Sequence, residues 1–289
     1  MSISLVVKED TKDYTHHDQL FKELIHHFFE EFLEAFFPQV HQHIDFTTIT
    51  ALSEEMFTDL FEGESRRADI VIEAKHKGED TMLIIHVEPQ SYPQSKPPFH
   101  ERMYLYYSLL YNRNRKPILP IAVFSYDENR TEKDEFNIKF PYFHVLKFNF
   151  LKVELRKTNW REYIESNNPV AAALLSKMGF TEEERVQVRL EFLRMMTSME
   201  LNPAKERLIF GFFERYLKLN EKEEAILMEN IKHLEEADKI MELPISWEEK
   251  GKKEEKKNIA RTMLENGYPI KEIQKLTGLN RNEIEKLNP

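Results

Sequence analysis

At 289 residues the chain is longer than a usual single domain, so one main domain with a smaller appendage is expected. It has 21 phenylalanines against 2 tryptophans and 7 glycines, which argues for packed helices and strands and against a loop-rich or disordered chain. The absence of cysteine excludes disulfides, thiolate zinc sites and a Cys nucleophile, and a formal net charge of −10 runs against the phosphate neutralisation on which nucleic-acid affinity rests.

The first ten residues, Met1 to Asp10, carry a short apolar patch with neither a basic front nor a small-residue cleavage site, so no signal peptide is read there. No uncharged apolar run approaches the ~20 residues that span a bilayer, which makes a cytoplasmic protein without membrane partners the expectation. Over residues 16 to 36, Leu20, Leu24, Phe28 and Phe32 recur at near-helical spacing and predict one amphipathic helix, stopped by Pro38. A first strand is expected over Ile44 to Ala51. Arg67 to Glu73 and Thr81 to Glu88 are β-branched runs joined by a short polar segment containing Gly78, which makes them hairpin neighbours. Their near-continuous apolar character calls for helical cover. That cover begins near His100, after Pro93, Pro97 and Pro98, with Met103, Tyr107, Leu110 and Tyr111 as its core stripe.

Ile118 to Tyr126 reads as another buried strand, and Phe136 to Phe140 and His144 to Leu155 alternate as a half-exposed sheet edge does. From Trp160 to about residue 240 the pattern is helical, with stripes such as Leu190, Leu193 and Met196, or Phe210, Phe213 and Leu217. Glu248 to Lys257 is a charge run of the kind that forms a solvated helix or linker. Beyond it Ile259 to Leu264, a Gly267 stop, Ile270 to Leu276, a Thr277-Gly278-Leu279 turn and Arg281 to Leu287 make a compact periodic unit. The expected division is therefore a core over 1–158, a helical subdomain packed on it over 159–245, a charged linker over 246–258 and a helical tail over 259–289.

The chemistry lies in the hairpin. Asp69 and Glu88 stand at the ends of adjacent apolar strands, where two carboxylates can converge, and Mg²⁺ is commonly held by one or two carboxylates together with waters and substrate phosphates. The solvated-turn alternative for such acids stays open on spacing alone. The succession α-β-β-β-α-β, with Asp on the second strand and Glu-X-Gln on the third, resembles the PD-(D/E)XK nuclease fold, an α/β core with a mixed central sheet flanked by helices. More narrowly, Leu20-Phe21-Lys22-Glu23, Arg67-Ala68-Asp69-Ile70-Val71, His86-Val87-Glu88-Pro89-Gln90, Glu101-Arg102-Met103 and Pro120 to Tyr126 resemble the recombination-promoting nuclease and transposase-like (Rpn-like) branch of that superfamily, over residues near 15 to 180.

The resemblance implies a Mg²⁺- or Mn²⁺-dependent DNA endonuclease. Asp69 and Glu88 would hold the metal and Gln90 would orient the attacking water, with Glu23 as an added acid and Asp18 as its alternative. Arg67, Arg102 and Lys22 would meet the substrate phosphates. For Arg102 the alternative is an exposed helical arginine, and for Lys22 a surface ion pair with Asp18. Gln90 departs from the superfamily's usual lysine, since an amide orients water but brings no positive charge. Pro89 lacks a ladder donor and suggests a strand that ends or bulges there. The pairs His16-His17, His26-His27 and His41-His43 lack the i, i+4 spacing of a zinc helix, although His86 shares a strand face with Glu88. No glycine-rich phosphate loop is present. The tail phrase Gly267-Tyr268-Pro269-Ile270 through Asn280 resembles the helix-turn-helix tails of the same nuclease branch, so DNA is the expected partner, a protein-docking hairpin the alternative, and a homodimer is left open. The competing reading of the whole is a nuclease-fold protein without activity that binds DNA or a partner.

Overall fold

The computed structural model describes residues 11–52, 70–78, 82–90, 97–243, 256–281, 284 and 287. The chain divides into two compact units, Met1–Glu229 and Asn230–Pro289. In the first, α1 (Thr11–His27), α2 (Phe29–Phe36) and α3 (Pro38–His43) lead into strands β1 (Ile44–Ala51), β2 (Ile70–His76) and β3 (Met82–Gln90). A helix, α4 (Phe99–Asn114), then connects β3 to β4 (Ile118–Phe124), followed by β5 (Glu135–Phe140), β6 (Phe143–Asn149) and β7 (Leu151–Glu154).

The single helix expected over 16 to 36 is two. The chain breaks at Phe28, whose φ of −133° and ψ of 45° leave the helical region. Pro38 does not simply stop a helix; it starts α3, where its missing N–H costs nothing. Phe28, Phe32 and Leu33 are nonetheless fully buried, so the apolar face read from the spacing is a core face.

The main sheet has the order β1-β2-β3-β4-β7, antiparallel from β1 to β3 and parallel from β3 to β7. β2 and β3 pair as expected from the Gly78 break, with Gly78 in the left-handed region at φ +79°. A parallel β3–β4 pair needs a crossover, and α4 supplies it. Phe136 to Leu155 does not form one sheet edge. β5 and β6 make a separate two-stranded ribbon, and only β7 joins the main sheet. Phe148 turns inward with Phe150 to the cluster of Phe99, Met103, Ala122 and Phe124, whereas Phe140, Tyr142 and Phe143 at the ribbon tip are exposed.

The helical region follows with α5 (Pro169–Leu174), α6 (Arg185–Thr197), α7 (Pro203–Tyr216) and α8 (Glu221–Lys232). Asn168 caps α5 by accepting from Val170 N and Ala171 N at 3.1 and 3.0 Å, and its amide donates to Glu31 O at 2.8 Å, which ties α2 to α5. Phe21 of α1 meets Phe212 of α7 edge-on at 4.9 Å, and Phe192 of α6 stacks on Phe213 at 3.9 Å. The methionines Met195 and Met196 are buried in the same region.

In the second unit α9 (Ala237–Glu242), α10 (residues 256–265) and α11 (Ile270–Thr277) are described. Gly278 at φ +72° ends α11 with its N–H on Gln274 O at 2.9 Å, the left-handed cap a short interhelical turn needs. Ala260, Ile273, Leu279 and Ile284 form the core of this unit. Ile259, expected on the apolar stripe, is exposed, and its neighbour Ala260 takes the inward position.

Candidate active site

Side chains alternate across a strand, so Ile84, His86, Glu88 and Gln90 share one face of β3. Along α4 the residues four apart, Arg102, Tyr106 and Leu110, share one stripe. Four helical residues advance about 6 Å and two strand residues about 6.7 Å, so a helix laid along a strand can match the two series rung by rung. α4 does so in the opposite sense to β3. Leu110 and Tyr106 pack with Ile84, the Tyr106 ring meets His86 edge-on at 5.8 Å, and Arg102 reaches Glu88 and Gln90. Of the stripe read from the sequence, Met103 and Leu110 are fully buried and Tyr107 packs against the cluster that holds Phe148. Tyr111 is exposed, and Arg102 and Tyr106 take the inner positions.

The result is a buried polar cluster. His86 is fully buried and Glu88, Gln90 and Arg102 are 5%, 4% and 2% exposed, which places all four away from bulk water. The Glu88 carboxylate is bracketed, with Arg102 Nη2 3.5 Å from Oε1 and His86 Nε2 3.4 Å from Oε2. Arg102 Nη2 also donates to Gln90 Oε1. Phe99 lies beneath the guanidinium, its ring centroid 5.0 Å from Cζ. The exposed-arginine alternative for Arg102 therefore fails.

β3 ends at Gln90, one residue past Pro89, and Pro89 does not bulge it. Ile84 N donates to Pro117 O, and Gln90 O accepts from Ser125 N at 3.0 Å, so the even-numbered backbone groups of β3 face β4. The missing N–H of Pro89 faces the other side, past Ile70↔Val87, the last described pair with β2. The parallel register with β4 runs unbroken through Pro89↔Val123 and Gln90↔Phe124.

Beyond β4, Tyr126 is 4% exposed. Burial first, and the nearby Glu132 charge second, push its pKa above the ordinary tyrosine value, so it stays a protonated phenol. On the same face as Glu88, Glu73 of β2 forms an ion pair with Lys116 just after α4.

The other expected site residues are placed differently. Glu23 is exposed on α1 and accepts from Gln19 Nε2 at 3.1 Å within its own helix. Lys22 beside it is half-buried. Asp69 and Arg67 lie outside the described residues, as does the side chain of Asp18. Among the described residues no three His, Asp or Glu side chains gather in a way that could hold a metal ion. The described oxygens on the site face, the Glu88 carboxylate and the Gln90 amide, are of the hard class that Mg²⁺ takes. Sequence reasoning missed Tyr106 altogether. Its signal was present, since it stands four residues after Arg102 on the helix that follows the motif.

Among the described residues no helix is long and apolar enough to cross a membrane. Neither a curated protein nor a solved structure matches the chain. Residues 253–289 match the C-terminal HTH domain of the Rpn/YhgA-like nuclease family, which supports an Rpn-like kinship and a nuclease-related function for this chain.

Proposed function

We propose that the protein is a divalent-metal-dependent DNA endonuclease of the Rpn-like type, with a PD-(D/E)XK core. The observation that carries this reading is the match of residues 253–289 to the tail of a nuclease family. The strand face that holds Glu88 and Gln90 side by side supports it. In this reading Asp69, the residue before Ile70, joins Glu88 in holding Mg²⁺ or Mn²⁺, and Gln90 orients the attacking water. A bound cation of this kind polarises a phosphoryl oxygen and acidifies water. Glu23 adds an outer acid, Arg67, Arg102 and Lys22 meet phosphates, and the tail brings DNA to the site. The protein would act in the cytoplasm, as a monomer or a homodimer.

The second reading, a nuclease-fold DNA-binding protein without activity, is favoured by one feature. Arg102 already neutralises Glu88 and engages Gln90. Plasmid nicking by the purified protein separates the two. Nicking that requires Mg²⁺ or Mn²⁺ and falls at least about a hundredfold in both Asp69→Ala and Glu88→Ala is the expected result, given the share of the barrier a catalytic metal supplies. Nicking that survives both changes would sink the assignment.

A further inference from the structure

An arginine does not lose its charge in a protein, so a buried one has to be compensated where it stands. Arg102 is 2% exposed, and its Nε and Nη1 have no hydrogen-bond partner among the described residues. Two unused buried N–H groups are costly by themselves. What holds the guanidinium lies on its remaining side, where Nη2 stands 3.5 Å from Glu88 Oε1 and donates to Gln90 Oε1, over the Phe99 ring. Those oxygens belong to the two residues assigned above to the cation and its water. A guanidinium and a divalent cation placed on the same carboxylate in a dry site would repel each other strongly. Glu88, 5% exposed with His86 Nε2 3.4 Å from its other oxygen, would lose its full positive partner if the guanidinium left with nothing in its place.

We propose that Arg102 is the resident counter-ion of this site and exchanges with the divalent cation: it holds Glu88 and Gln90 in the metal-free protein and releases them when the metal is taken up. The proposal rests on the metal-centre reading of Glu88. It gives Arg102 a role in setting metal affinity, separate from any contact with DNA.

The test is a calorimetric Mn²⁺ titration of the full chain beside Arg102→Met, with Arg102→Lys as a charge-keeping variant that lacks the planar fork. Removing the competitor should tighten Mn²⁺ binding by about tenfold or more in Arg102→Met, the size of an ordinary coupling between two ligands, and by less in Arg102→Lys. On the unmodified protein, the side-chain Nε–H resonance of Arg102 in ¹⁵N-arginine-labelled material should shift and lose exchange protection as Mg²⁺ is added. This readout stands even if Arg102→Met does not fold. Mn²⁺ binding that is equal or weaker in the Arg102 variants, or an Arg102 resonance that stays in place while Mg²⁺ binds, overturns the exchange and leaves the metal centre standing. No Mn²⁺ binding by any of the three proteins overturns the metal centre and the exchange together.

Discussion

Glu88 and Gln90 were legible from the sequence because a period of two is all that is needed to put them on one face with His86. Arg102 was legible as a candidate and illegible in its placement. Arginine heads usually sit in water, so nothing in composition marks one that is buried, and only the partner strand reveals it. His100, one turn before Tyr104 on α4, shows the same dependence on neighbours. Burial first, then the charge of Lys133, holds its pKa below the ordinary histidine value of 6.5, outweighing Glu101 and Glu132. The unfolded chain therefore takes up the proton more readily than the folded one. Stability should fall as the pH drops below 6.5 toward the lowered folded value, and be unaffected by this group above it. Thermal unfolding of His100→Gln across that range should show a flatter slope than the parent. An identical slope would mean that His100 is not held neutral by the fold.

The strands through β4 and the β2–β3 hairpin were readable at the level of elements, since β-branched runs separated by turn residues leave little freedom. β1, the β2–β3 hairpin and β4 stand where the pattern placed them. The break at Phe28 was not readable, because the apolar spacing continues across it and only the backbone dihedrals record it. Neither was the separation of the β5–β6 ribbon from β7, which depends on which edge has a partner to offer. Gly179 is another position whose meaning appears only in three dimensions. A Cβ there would stand 2.6 Å from the carbonyl oxygen of Arg156, a backbone atom that cannot swing aside. Gly179→Ala should lower stability by about 1–3 kcal/mol, the usual cost of overpacking, and a chemical-denaturation midpoint reads it directly. No shift in that midpoint would show that the segment after β7 moves freely.

For the molecule as a whole, the family match on residues 253–289 gives the tail an experiment of its own. A chain ending at residue 245 should keep the Mn²⁺ affinity of the full protein. Its DNA affinity should drop, with a shallower dependence on salt, because fewer phosphates are neutralised. DNA affinity that is unchanged or higher would assign the tail to a protein partner or to inhibition. Aggregation would show that the tail covers the rest.

The rung-by-rung match of α4 to β3 has a consequence for how the chain reaches this state. Arg102 follows Gln90 by only twelve positions in the chain. Closing so short a loop is entropically mild, because the cost rises with the logarithm of loop length. The carboxylate of Glu88 thus meets its guanidinium as soon as the crossover helix docks on its own strand. Pairing that charge therefore calls on no distant segment of the chain.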